Sequence, residues 1–474
     1  MAEIPPLSRK HIREALAAVI AGLSGALMVI FPALGGAIVA IVFVFWLPEL
    51  SLIVAVLFVE EQLSSGALRD EKVHFVVKLG TDILYGGSPP RVFLFILIAA
   101  VVVLVRRTNV RLWDSPQARL SITILGSLAA WTFINEYLLF GLTLKQSFTA
   151  AVSWVVAIAA LVIGISVSNR PRTSQHAIKV GFGAVVGKFL VAVVVVALGA
   201  GQPLAGKKVL VFYDTALASF AAAVAVAMAY ARDLRPAIRW PVGAMSLIIT
   251  LLSFRRGVWI AALIIASIVI PIAQRNVRIA VKSVVSLVAV IFLLLVVVPS
   301  IADVAMDRFI EGLGTVTGNT EESSAAGHLS DLAVAYDVAR ASPLNGLGYR
   351  HPQLAGLVVS KPGQTIYVHS DYLEVWLREG IVGLALLLFF VAILTRFAFR
   401  ALREELTVPE FSAAVLLLIA PLVMIWFPIL STTWRWPAMI GLALGLLIGR
   451  LHVGPNAGLV RPGGADVSML VEKR

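Results

Sequence analysis

Arg255 and Arg256 stand side by side between two apolar segments, in Leu252-Ser253-Phe254-Arg255-Arg256-Gly257-Val258-Trp259. A guanidinium is planar, permanently charged and matched to phosphate oxygens through forked hydrogen bonds. Two of them at the edge of apolar runs therefore point to a polar cavity holding an anion. The rival reading is that both side chains snorkel to lipid headgroups. A second constellation lies downstream, in Tyr367-Val368-His369-Ser370-Asp371-Tyr372-Leu373-Glu374-Val375-Trp376-Leu377-Arg378-Glu379-Gly380. Ser370 is a good helix N-cap, which puts His369 just before the first turn, where an imidazole exchanges a proton near neutral pH. Glu374 and Arg378 have the spacing of an ion pair and, with Asp371, share a different helical face that reads as structural. Asp371 orients His369 only if the helix begins after it.

These groups have to be positioned by a membrane protein. The chain has 474 residues, 59% of them apolar and 14% charged, more apolar than a soluble core of this size requires. Its mean hydropathy of +0.93 agrees. Apolar runs such as Val180–Ala200 and Lys282–Val298 approach the length that crosses a hydrocarbon core, and no alternating strands of barrel type occur. The expectation is an all-α polytopic transmembrane bundle, because helices satisfy their own backbone groups in lipid. With no cysteine in the chain, disulfides, iron–sulfur clusters and thiolate metal sites fall away. The net charge of +12 is gathered in short clusters between apolar spans, the pattern set by topology and anionic leaflets, so nucleic acid is not an expected partner and membrane lipids are.

Basic clusters at Arg9–Arg13, Arg106–Arg119, Arg170–Lys179, Arg232–Arg239, Arg275–Lys282, Arg396–Arg403 and from Arg450 onward mark the cytoplasmic side. Each neighbouring pair then encloses an even number of spans: two between Leu120 and Val167, two between Val180 and Tyr230, two between Pro241 and Ala273. Ala15–Val105 holds two or four, and four is preferred, for a total of about 12–14 spans of roughly 20 residues each. Met1–Arg13 reads as the flank of an uncleaved first span, and both termini as cytoplasmic. Residues 1–302 form an N-terminal bundle, 303–378 an extracytoplasmic loop domain carrying catalytic elements, and 379–474 the last helices and tail. Within the loop, Leu329, Leu332, Ala333 and Tyr336 recur at helical spacing until Ser342-Pro343 stops the run.

Three motifs in order carry a resemblance. Arg256-Gly257-Val258-Trp259, the turn Ser342-Pro343-Leu344-Asn345-Gly346-Leu347-Gly348-Tyr349, and the His369-Ser370-Asp371-Tyr372-Leu373-Glu374 segment ending in Glu379-Gly380-Ile381-Val382-Gly383-Leu384 together resemble the O-antigen ligase and polysaccharide polymerase superfamily, over roughly Thr250–Leu388. The resemblance implies a GT-C-like, metal-independent glycosyltransferase of the bacterial inner membrane. It would take a glycan from an undecaprenyl-diphosphate donor on the extracytoplasmic face, with no cofactor and a glycan or lipid A-core acceptor. Carried over by position, His369 is the base on the acceptor hydroxyl, Arg256 the phosphate ligand and Arg255 its neighbour. The family often has a further arginine where this chain has Gly327-His328-Leu329, so Arg308 and Arg350 stand as substitutes. Asp371, Tyr372, Trp434 and Arg435 are the expected acceptor or sugar contacts. Arg435, flanked by indoles, suits an interfacial belt or a stacked sugar equally. Polymerase, lipopolysaccharide ligase and protein O-oligosaccharyltransferase stay open, and a polysaccharide transporter or flippase is the rival class.

Overall fold

The computed structural model describes residues 47–58, 90–106, 115–197, 199, 202–204, 207–210, 215–230, 234–274, 281, 285, 324–348, 357–361, 364–368, 370–427 and 435–453. Its helices are α1 (Pro48–Phe58), α2 (Pro90–Arg106), α3 (Pro116–Ile134), α4 (Leu144–Ser168), α5 (Pro171–Ala197), α6 (Thr215–Tyr230), α7 (Pro236–Leu252), α8 (Arg256–Gln274), α9 (Ser324–Ala341), α10 (Asp371–Ala401), α11 (Val408–Val423) and α12 (Arg435–Val453). Two short antiparallel hairpins lie outside the bundle, β1 (Gln202–Leu204) with β2 (Lys207–Leu210) and β3 (Leu357–Lys361) with β4 (Gln364–Tyr367). The all-α expectation holds, the two hairpins being short connections between helices.

Five helices among the described residues are long and apolar enough to cross a membrane: α3 with its extension to Leu139, α4, Thr173–Val194 of α5, α8 and α10. The shorter apolar helices are α6, α7 and α11. Helices α3–α4, α5–α6 and α7–α8 lie where the pairs of spans are expected, and the last helices expected from residue 379 onward are most of α10, then α11 and α12. The stretches that would complete a total of about 12–14 spans, at roughly 20 residues each, fall largely outside the described residues.

The core is organised around α4, whose apolar window is 78% buried against 22% for α5. Val156, Ala160, Leu161 and Ile163 of α4 are fully buried. α12 lies along it so closely that a Cβ built on Gly445 would stand 2.2 Å from the Leu161 carbonyl oxygen, and one on Gly441 2.1 Å from that of Ala157. In lipid, where apolar surface gives little drive for helices to associate, close backbone approach through small residues supplies the packing energy. α8 changes pitch at Ile265–Val269, where hydrogen bonds reach back five residues. With that spacing the Ala266 carbonyl would look to residue 271, which is a proline and has no N–H. The Tyr230 hydroxyl from α6 donates to it at 2.6 Å.

The loop helix α9 ends at Ala341, just before the expected Ser342-Pro343 stop, and its buried face is made by alanines. Ala335 and Ala339 are buried against Val368 and Leu377, while Ala333 and Tyr336 face outward. The small alanines let α9 sit close to α10, and the Tyr336 ring stands edge-on to Trp376 at 5.7 Å beside that contact.

Candidate active site

The arginine pair is set by a sharp reversal between α7 and α8. Ser253 caps the end of α7, its hydroxyl donating to the Thr250 carbonyl at 2.6 Å, and Phe254 then adopts φ 49°. A left-handed conformation at a bulky residue costs roughly 1–3 kcal/mol, and here it falls immediately before the two arginines. Trp259 braces the reversal by donating its indole N–H to the Thr250 carbonyl at 2.9 Å. Arg255 is the N-cap of α8 and Arg256 its first residue, so both cations stand at the positive end of a helix dipole. An anion at that point is favoured by both the side chains and the helix terminus.

The turn after α11 brings this pair to the start of α10. The Arg255 guanidinium lies 5.1 Å above the ring centre of Phe427. A Cβ on Gly257 would meet that ring at 3.0 Å, so glycine allows α8 to seat against it. From the other side, the Asp371 amide donates to the Met424 carbonyl at 2.9 Å and the Ser370 hydroxyl approaches the same oxygen at 3.4 Å. The Tyr372 hydroxyl donates to the Pro421 carbonyl at 3.1 Å. Met424 to Phe427 thus holds the arginine reversal and the start of α10 together, with Trp426 46% exposed at the same place. His369 lies outside the described residues, as do Arg308, Arg350 and Trp434. Ser370 is the N-cap of α10 by position, yet its side chain turns to Met424 instead of capping. Asp371 is fully buried in the first turn and Tyr372 is tied to α11, so the helix begins at Asp371, which removes the condition for its orienting His369.

The other two motifs meet at a break in α10. Gly380 has φ 70° and ψ −167°, and a Cβ there would stand 1.9 Å from the Leu344 carbonyl oxygen, so glycine is required twice over. The Ser342–Gly348 turn docks on the broken strand of backbone: Leu347 N–H donates to Leu377 O at 2.6 Å, Gly348 N–H to Arg378 O at 3.0 Å, and Ile381 N–H to Pro343 O at 2.9 Å. Glu374 and Arg378 form the expected ion pair one turn apart, both buried.

Sequence reasoning placed a span at α3 but missed its contacts with this break. Trp131 donates to the Glu379 carbonyl at 3.0 Å, the Thr132 hydroxyl stands 2.8 Å from the buried Glu379 carboxylate, and Trp154 donates to Thr132 at 3.2 Å. The signal was the polar Asn135-Glu136 pair at the end of an apolar run, both fully buried. Arg435 is also not where it was expected. It is fully buried and donates to the carbonyls of Val56 and Leu57 at the end of α1, closing groups that a helix terminus leaves open. That burial replaces both the interfacial belt and the stacked sugar.

Residues 241–388 match the family model described as O-Antigen ligase (Wzy_C). The O-antigen ligase and polymerase resemblance is thereby supported by the segment that carries all three motifs. It covers less than half of the chain, from α7 through the arginine reversal and the loop into α10. The match supports a glycosyltransferase of the ligase or polymerase type, acting on glycan and lipid-linked substrates in a multi-pass membrane setting. No curated protein matches the chain.

Proposed function

We propose that the protein transfers or polymerises a glycan from an undecaprenyl-diphosphate donor without a metal, at the end of the bundle where Arg255, Arg256 and the start of α10 meet. The observation that supports this reading most is the convergence of the arginine reversal and Ser370–Asp371 on Met424–Phe427. Arg255 and Arg256 hold the diphosphate, whose charge grows as the sugar–oxygen bond breaks, and fixed cations aimed at growing charge lower the barrier. His369 takes the proton of the acceptor hydroxyl as its oxygen bonds to the anomeric carbon, and the lipid diphosphate leaves. Arg308 and Arg350 from the 303–378 loop domain are proposed as further phosphate ligands. The site faces the extracytoplasmic side of a bacterial inner membrane, with both termini on the other side, since a lipid carrier can be met only beside the bilayer. A glycan chain and a lipid A-core are both acceptors this chemistry accommodates.

His369→Ala tests the reading. The variant inserts at wild-type levels and loses transfer by about 10²–10⁴-fold, the range of a general base. Normal transfer by that variant sinks the assignment.

A further inference from the structure

α3 belongs to the half of the chain that the family match leaves out, yet it touches the site's most unusual backbone. The pitch of α3 widens after Ile134 into a π turn, Asn135–Leu139, closed by Phe140 N–H donating to Asn135 O at 3.2 Å. Such single turns insert a residue and re-aim a side chain. Here the re-aimed side chain is Asn135, fully buried. Its amide nitrogen has two hydrogens, and they go to two different segments: to Asn345 O in the loop turn at 3.1 Å and to Arg378 O in α10 at 3.2 Å. With two carbonyls facing it, the amide has one workable orientation. Its own oxygen has no hydrogen-bond partner among the described residues.

The Arg378 carbonyl matters because α10 is broken at Gly380. In an unbroken helix it would accept from the N–H four residues on. The reversal leaves it to Gly348 N–H and Asn135 instead. Asp371–Glu379 is therefore a short rigid helix pinned at both ends, at Met424 by Asp371 and at the loop turn through Asn135.

We propose that Asn135 is a positioning residue that clamps the loop turn to the broken backbone of α10, and so fixes the short helix that starts beside His369 relative to Arg255 and Arg256. Its catalytic consequence rests on the glycosyl-transfer reading above; the clamp itself does not. A catalytic group misplaced by about 1 Å loses about 10²-fold in rate, so loss of one pin is read in turnover before it is read in binding.

The test uses the full chain in nanodiscs, with Asn135→Asp, which keeps the shape but turns an acceptor toward both carbonyls, and Asn135→Ala. Hydrogen exchange at the Gly348 and Ile381 amides reports the clamp, and kcat and KM for a lipid-diphosphate-linked glycan report its use. The expected result is exchange faster by about tenfold or more, the scale of losing a buried hydrogen bond, with kcat lower by a similar factor or up to about 10²-fold. KM for the donor stays within about twofold, because the clamp does not touch the phosphate. Unchanged exchange in both variants overturns the clamp. Faster exchange with unchanged kcat overturns the positioning role. If wild-type protein consumes no lipid-linked donor, the glycosyl-transfer reading fails, and the positioning role with it, while the exchange result still decides the clamp.

Discussion

Arg435 and the Arg255–Arg256 pair each stand at the start of an apolar helix and carry the same group in opposite settings. Arg435 is fully buried, and its guanidinium closes the backbone carbonyls of Val56 and Leu57. Arg255 and Arg256 are only half-buried, at the start of a helix and against an aromatic ring. An arginine at the start of an apolar helix is thus not a ligand site by type or by place. What separates the two settings is that backbone acceptors meet the Arg435 guanidinium in a fully buried place, whereas the pair is half-buried at the start of a helix, where the dipole favours an anion.

That contrast breaks first at Arg435. Arg435→Ala strands the carbonyls of Val56 and Leu57 and should cost about 1–3 kcal/mol for each group left unsatisfied. Thermal melting in detergent should shift down while KM for the donor in the surviving molecules stays at its wild-type value. A raised KM with normal melting would make Arg435 part of the site. Arg255→Ala should cost less in stability, about 0.5–1 kcal/mol for the lost cation–π contact with Phe427. Its larger effect should fall on donor turnover, and unchanged turnover with lowered melting would reduce Arg255 to a packing residue. The smallest expected effect is none: if the arginines supply the charge that a metal would, excess EDTA leaves transfer unchanged. Activity lost to EDTA and restored by magnesium or manganese would require a different mechanism.

How legible all this was depends on the kind of signal. The paired runs could be read because lipid imposes a run length, and helices α3–α4, α5–α6 and α7–α8 lie at those places. The arginine reversal, the glycine turn and the Glu379-Gly380 segment could be read as motifs, but not what the glycines do. Gly380 serves a break in a helix, and breaks of that kind depend on a carbonyl from Leu344, far off in sequence. The α9 helix could be read from its spacing, but not its buried face, because small alanines rather than the larger residues make the close contact. Asn135 was passed over since a polar pair at the end of a span, Asn135-Glu136, looks like an ordinary loop boundary; only the pitch change in α3 aims Asn135 at α10.

The central claim is that the arginine reversal binds the diphosphate of a lipid-linked donor, and Arg256 tests it most directly. Binding and single-turnover consumption of a labelled undecaprenyl-diphosphate glycan should be measured in nanodiscs for wild type, Arg256→Lys and Arg256→Ala. The account predicts weakened donor use for Arg256→Lys, which keeps the charge but loses the forked geometry, and near-complete loss for Arg256→Ala, with folding intact in both. Donor binding and consumption by Arg256→Ala equal to wild type would make the pair a headgroup anchor and contradict the account.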